Sequence, residues 1–391
     1  MKLHLSRQWR IMAGAAALAI VAAGCGGTTG GGSAASAPLK LGFMGALTGP
    51  NAQLGINIYD GAKLAVDQHN AKAGAAQVQL VKYDTQGDPA QATSLAPKAV
   101  QDQVVGIVGP AFSGESKVAD PVFEQAKIPN VSPSATNPKL STNGWTYFHR
   151  VLANDDAQGP GIAAFLATQL GAKKVAVIDD SSEYGKGLAD VVAASLTKAG
   201  VTIVDREAID PNGNDYSSTV NKVKAAGADA IFYGGYYSQA ARFVKQLRDA
   251  GVTAKFASGD GTLDQKFIGG AGPAAQGAFV SCTCALTTAS TAAPVVAFNA
   301  AYKAAYGADP ATYSAEGYDA ATAFLMAIEA GKKTGPDINA FLATEDFQGV
   351  SKPIKFSSTG ELAGGGSVFV YEVVGGKFSD LGNYTTAKPA A

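Results

Sequence analysis

The stretch V-V-G-I-V-G-P-A-F-S-G-E-S, Val104 to Ser116, decides how the rest of the chain is read. Val104 to Val108 is short, apolar and mostly β-branched, as a strand covered on both faces requires. Gly109 and Pro110 end it, small residues follow, and a helical pattern opens at Glu115 and runs to Ala126. A buried strand that breaks on glycine and feeds a helix is the unit from which parallel α/β sheets are wound.

Moving outward, the same unit recurs on both sides. Upstream stand a strand at Leu39 to Leu47, a helix at about Gln53 to Ala73, a strand at Val78 to Tyr83 and a helix at Pro89 to Gln103. Pro89 suits that helix's first turn. Downstream comes a strand at Ile128 to Val131, and then the alternation restarts. Helices are expected at Gly159 to Leu170, Gly185 to Ala199, Tyr216 to Ala226 and Gln239 to Ala250. Strands are expected at Lys174 to Ile178, Val201 to Ile209, Ala230 to Tyr233 and Ala254 to Ala257. Two tandem α/β lobes, each a doubly wound parallel sheet, follow from this order. A weak echo supports the pairing. Tyr59 to Ala65 (YDGAKLA) leads through Ala73-Gly74 to the strand VQLV, and Tyr184 to Ala189 (YGKGLA) leads through Ala199-Gly200 to VTIV. The plainer alternative is that any helix–glycine–strand junction reads this way.

Composition limits what such a body can do. Its 391 residues suit about two domains beyond a short leader, and 47% hydrophobic against 16% charged residues gives a core, not a disordered chain. Lys+Arg 31 balance Asp+Glu 32 without a basic run, which excludes a nucleic-acid partner. His4, His69 and His149 are the only histidines, too few for a multi-histidine metal site. No G-x-S-x-G elbow occurs, Gly42, Gly45 and Gly49 do not make G-x-G-x-x-G, and no G-x-x-x-x-G-K is found. The expectation is a chain without enzymatic chemistry, cofactor or metal.

The first residues read as an address. Lys2, Arg7 and Arg10 precede a charge-free run from Ile11 to Gly24, shorter than the roughly 20 residues a membrane span needs. It ends V-A-A-G-C at Cys25, which resembles a bacterial lipobox, with Ala22 where leucine is commoner. The reading is a lipoprotein signal over residues 1–24, then lipidated Cys25 and a flexible Gly/Ser tether over 25–37; the alternative is a simple secretory signal. The body would then sit at the extracytoplasmic face of the cell membrane, in the periplasm where an outer membrane exists, held by a lipid anchor. An exported location favours a disulfide between Cys282 and Cys284; the alternative is two reduced thiols on a strand.

In open parallel sheets ligands bind beyond the carboxyl ends of the strands. After the opening strand, Ser113 and the N–H groups of a helix N-terminus suit an anion, or Ser113 simply caps the helix. Ser132 to Pro138 (SPSATNP) offers Ser134 and Thr136 to the same anion, or forms an ordinary turn. The second half supplies Tyr184, Tyr236 beyond two glycines at a strand end, and Asp260. Asp260 would neutralise an ammonium group, or cap a helix from Thr262 to Phe267. Tyr233 is expected to face the sheet packing.

Taken together the motifs resemble the branched-chain amino acid binding proteins, the Leu/Ile/Val-binding group with the type I periplasmic-binding fold. The matching segments include KLGFMGALTGPNAQLG, YDGAKLAVDQHNAKAG, LVKYDTQGDPAQA, GIVGPAFSGES, IPNVSPSATNP, FYGGYYSQAARFVKQLRDAG and EGYDAATAF, in family order from Leu39 to beyond Phe324. The resemblance implies that Ser113, Ser134, Ala135 and Thr136 grip a ligand carboxylate, that Tyr236 and Asp260 meet its ammonium, and that Tyr184 is an aromatic cleft residue. It implies two lobes, 38–154 plus 284–365 and 155–283 plus 366–391, joined by a three-stranded hinge and closing on a small, branched-chain or other aliphatic amino acid. It also implies a monomer that hands its ligand to the permease and ATPase subunits of an ABC importer. Two departures bear on the ligand: Leu54 stands where an aromatic often lines the pocket, and Asp260 is shorter than the glutamate some members use. Binding of an amide, urea or aromatic acid on the same fold, or sensing without transport, are the competing expectations.

Overall fold

The structure, a computed structural model, describes residues 37–284 and 286–390. The leader, Cys25 and the tether up to residue 36 lie outside the described residues. The first sheet is wound from β1 (Leu39–Gly45), α1 (Ala52–Asn70), β2 (Val78–Asp84), α2 (Pro89–Gln101), β3 (Gly106–Val108), α3 (Ser113–Ala126), β4 (Asn130–Ser132) and β5 (Phe148–Arg150). Its strand order is β2-β1-β3-β4-β5, every pair parallel. β3, β4 and β5 are buried along their whole length, as strands covered on both faces must be. Gly109 ends β3 at φ 118°, and a Cβ there would strike the carbonyl oxygen of Met44, so this turn admits only glycine.

The winding then repeats. α4 (Asp155–Ala164), β6 (Lys174–Asp179), α5 (Glu183–Lys198), β7 (Thr202–Ala208), α6 (Ser217–Ala226), β8 (Ala230–Gly234), α7 (Tyr237–Asp249), β9 (Lys255–Ser258), α8 (Gln265–Ala271) and β10 (Phe279–Cys282) follow. Within the second sheet these strands run β7-β6-β8-β9-β10, the same order as in the first. The faint echo in sequence is thus a repeat in topology. α4 begins at Asp155, ahead of the expected Gly159, because the Asn154 side chain accepts from the Asp156 N–H and caps the helix there. Beyond Ala164 the helix widens into a π-helical turn, Phe165–Gln169.

The chain next forms α9 (Ala293–Tyr306), α10 (Ser314–Glu329), α11 (Gly335–Leu342), β11 (Asp346–Gln348), β12 (Pro353–Lys355), β13 (Phe369–Val374) and β14 (Lys377–Asn383). α10 packs on α1, and Gly61 and Gly317 let their backbones touch: a Cβ on either would collide with the carbonyl of Ser314 or of Ile58. β13 joins the second sheet antiparallel to β10, and β14 pairs antiparallel with β13. That sheet is therefore not wholly parallel, as the sequence reading had it. Gly375 and Gly376, at φ 58° and 78°, make the two-residue loop that antiparallel neighbours permit and parallel ones cannot use.

The chain passes between the two sheets three times, after β5, after β10 and before β13. Thr283 Oγ1 donates to the carbonyl of Ala153 at 3.0 Å and ties the first two passages together. Cys282 and Cys284, both fully buried, flank Thr283 and are joined as a disulfide.

Candidate functional site

A narrow cavity of only about 10 Å³ lies where the carboxyl ends of the two sheets face each other. Leu54, Phe112, Ser134 and Tyr313 line it from the first sheet's side; Tyr184, Tyr236 and Gly261 line it from the second's. Phe112 follows β3 and Tyr236 follows β8, the strands beside the point where each winding order reverses. Their rings meet across the gap with centroids 4.6 Å apart, and Tyr184 stacks against Tyr236 at 5.2 Å. A wider groove near Tyr302, Tyr306 and Phe378 lacks such convergence, and two of its carboxylates are engaged: Asp309 pairs with Lys303 and Asp264 caps α8.

Asp260 is the chemical centre. It is fully buried, and its Oδ1 accepts from Tyr184 Oη at 2.5 Å and from Gln158 Nε2 at 3.1 Å. Its Oδ2 accepts from Tyr313 Oη, which reaches it from the first sheet's side. The alternative reading of Asp260 as a helix cap is replaced by Asp264, whose carboxylate takes the Lys266 N–H. Burial pushes the Asp260 carboxyl up, and the donors Tyr184, Tyr313 and Gln158 pull it back down. Burial holds the hydroxyls of Tyr184, Tyr236 and Tyr313 far above their ordinary range, so all three stay neutral.

A carboxylate offers about four acceptor positions. Three are taken by uncharged donors, leaving one position and the whole negative charge.

The candidates on the first sheet's side form one connected loop system. Ser113 is the first residue of α3 and does not cap it; its Oγ accepts from the Asn137 N–H at 3.2 Å. Ser134 lines the cavity and donates to the Ala111 carbonyl at 2.5 Å. The Ala135 side chain packs with Leu140 and Phe148, its N–H goes to Ser132 Oγ and its carbonyl to Arg150, so the structure leaves Ala135 no free group for the carboxylate the sequence assigned to it. Thr136 is fully buried, its hydroxyl beside the Asp155 carboxylate. Tyr233 lies in the core against Phe243 and Phe256, as the sequence suggested. Leu54 is buried in the cavity wall.

Sequence reasoning missed Phe112, Gly261, Tyr313, Gln158 and Asp155. Phe112 stands inside the opening motif, where an apolar ring beside Ser113 carries no signal of a binding site. Gln158 and Asp155 lie one helical turn apart on α4, and Asn154 before them was the available cap signal. Asp155 is fully buried; burial first, and Asp260 second, drive its carboxyl well above the usual range, against the pull of the neighbouring Thr136 hydroxyl. Tyr313 had no signal in pattern. It sits at φ 68°, a left-handed conformation that costs a bulky residue about 1–3 kcal/mol and that clusters at ligand sites.

Comparison with known proteins gives a consistent frame. A family model described as periplasmic binding protein matches residues 38–377. An amino acid binding protein of Pseudomonas aeruginosa is 36% identical over 241 residues, which take in 61% of this chain and 64% of that protein. The Leu/Ile/Val-binding protein of Citrobacter freundii is 29% identical over 333 residues, 83% of this chain and 88% of that one. Among solved structures, the branched-chain amino acid transporter substrate-binding protein LivJ of Streptococcus pneumoniae, in complex with isoleucine, superposes with a TM-score of 0.80. It is 30% identical and the match covers 88% of this chain and 98% of that one.

Proposed function

The chain belongs to the periplasmic binding protein family, and from that premise we propose that it captures a small aliphatic amino acid between its lobes and delivers it to an ABC importer. The observation that carries the ligand class is Asp260: a buried carboxylate directly behind the cavity wall, hydrogen-bonded by neutral groups alone, two of which, Tyr184 and Tyr313, line the cavity. An α-ammonium supplies the missing charge and the missing donor. Opposite it, the loop of Ser134 to Thr136 and the N-terminus of α3 receive the α-carboxylate. Phe112, Tyr236 and Leu54 are the apolar groups on the cavity wall and would part to take a short apolar side chain as the lobes open.

The lobes of this reading are residues 38–154 plus 284–365 and 155–283 plus 366–391, with the three passages between the sheets as the hinge. Ligand binding favours the closed arrangement, and closure presents the permease with a surface made from both lobes. Cys25 carries the lipid that keeps the protein, as a monomer, at the outer face of the membrane. The partner ATPases drive transport.

Titration calorimetry of the purified protein against L-leucine, L-isoleucine, L-valine and L-alanine, with deaminated analogues, amides, urea and benzoate alongside, tests the ligand class. At least one of the four amino acids should bind, and its deaminated analogue should bind about 100-fold more weakly or worse, since an uncompensated buried charge costs about 3–5 kcal/mol. Binding of an amide, urea or benzoate in place of every amino acid overturns the proposal.

A further inference from the structure

Arg150 is fully buried at the end of β5, and every arm of its guanidinium is occupied. Nε and Nη2 form a fork on Glu361, at 2.9 and 2.6 Å. Nη1 donates to the carbonyl oxygens of Ala135 at 2.7 Å and Asn137 at 3.1 Å. These carbonyls belong to the loop that faces the cavity.

The peptide bond is planar and trans, so the Ala135 carbonyl and the Thr136 N–H point in opposite directions. Fixing the one on Arg150 therefore aims the other away from it. Ala135 packs with Leu140 and Phe148, and Arg150 lies over the Phe148 ring with its Cζ 5.2 Å from the centroid. The opposite side of the loop is the one on which Ser134 lines the cavity.

The loop's other backbone N–H groups are accounted for. The Ser134 and Ala135 N–H groups go to Ser132 Oγ at 3.5 and 3.0 Å, the Asn137 N–H to Ser113 Oγ, and the Thr136 carbonyl takes the Asp155 N–H at 3.0 Å. Of the loop's N–H groups the Thr136 N–H alone has no partner among the described residues, while the Thr136 hydroxyl lies beside the Asp155 carboxylate. Buried donors in that condition are rare in folded proteins.

We propose that Arg150 is a positioning residue for ligand binding: by holding the Ala135 carbonyl it presents the Thr136 N–H to the ligand's carboxylate. The inference rests on the amino-acid reading above. Lysine cannot replace it, because a single ammonium does not hold two carbonyls and a carboxylate in one plane. Glu361 acts through Arg150 by fixing the guanidinium.

The test compares L-valine with isobutylamine, the same skeleton without its carboxylate, on wild type, Arg150→Lys and Glu361→Gln. Arg150→Lys should weaken L-valine about tenfold or more, the scale of one lost charge-assisted hydrogen bond, and leave the weaker isobutylamine binding within about twofold. Glu361→Gln, which keeps the arginine, should shift L-valine in the same direction by a smaller factor. The Thr136 amide proton in ¹⁵N-labelled wild type should move downfield on adding L-valine, a readout that needs no variant. Equal weakening of both ligands, unchanged L-valine affinity in both variants, or an unmoved Thr136 amide overturns the proposal. If wild type binds none of the four amino acids, the functional reading itself fails, and that result is separate from the others.

Discussion

Asp260 accepts from Tyr184, Gln158 and Tyr313 and still carries an uncompensated charge inside the fold, so its neutral isostere is the sharpest single change. Asp260→Asn should weaken L-valine by about 2–4 kcal/mol, since truncating one partner of a buried charge pair costs that much. Leu54→Ala removes packing only and should cost binding about 1 kcal/mol. Equal or reversed effects in calorimetry would reject the ammonium role.

The pH dependence has a fixed sign. Burial raises the Asp260 carboxyl in the cleft, and a bound ammonium lowers it again. Binding thus favours the ionised form and releases protons: affinity is complete above the raised value and falls as the pH drops through it. Calorimetry in buffers of different ionisation enthalpy should show that release in wild type and a smaller one in Asp260→Asn. The sequence announced Asp260, Tyr184 and Tyr236 because each follows a strand end. Tyr313 was not legible: its hydroxyl reaches Asp260 only through tertiary packing, and no local pattern marks a tyrosine held at positive φ.

At the scale of the element, α3 shows how a helix start is built from side chains a motif search overlooks. Glu115 is fully buried; its Oε2 takes the Phe112 N–H at 2.9 Å and its Oε1 the Thr85 hydroxyl. Desolvation pushes its carboxyl up to about 7. A folded value above the unfolded one means stability that is complete at low pH and declines as the pH rises toward 7. A glutamine amide mimics the protonated acid, so Glu115→Gln should raise the unfolding free energy at pH 8 by about 1–3 kcal/mol and change it little near pH 4.5. A variant less stable at both pH values would show the ionised carboxylate to be what the helix needs. Regular elements were readable because strand and helix periods differ and glycine marks their junctions. The hairpin of β13 and β14 was not assigned: it follows a long stretch in which the expected alternation had already stopped, and its Gly375-Gly376 turn is a purely local signal. Likewise the start of α4 was placed late, at Gly159, because its cap, Asn154, precedes the apolar pattern.

Across the whole molecule the two windings are tied by contacts that bridge the cleft: Lys117 with Glu183 at 2.8 Å, Asn137 Nδ2 with the Glu183 carbonyl, and Tyr237 Oη with the Gln53 N–H. The repeat of strand order was only faintly written in sequence, since topology constrains where apolar runs fall and not which residues fill them. The same deep packing buries many acids. Burial raises Asp180, Asp264 and Asp319 to about 6 and holds Asp120 and Asp155 well above the ordinary carboxylate range, while it lowers His149 to about 4. The raised carboxyls stabilise the fold most at low pH and lose that contribution as the pH climbs through 6 and above. His149 is held neutral, so its contribution is complete above the ordinary histidine range and is lost as the pH falls toward 4. The two slopes oppose each other, and the carboxylates that salt bridges and hydrogen bonds hold low, such as Asp84, Asp190 and Glu329, add a further acid-side loss. Several raised carboxyls outweigh one histidine above about pH 4, so stability should peak near the ordinary carboxylate range, at about pH 4 to 4.5, with melting temperatures that fall from there toward about pH 8 and drop again at about pH 3. Scanning calorimetry across that range is decisive: a melting temperature that climbs steadily from pH 5.5 to 8 would mean that the buried acids are ionised and paired in the native protein, and the charge account of the cleft would have to be redrawn with them.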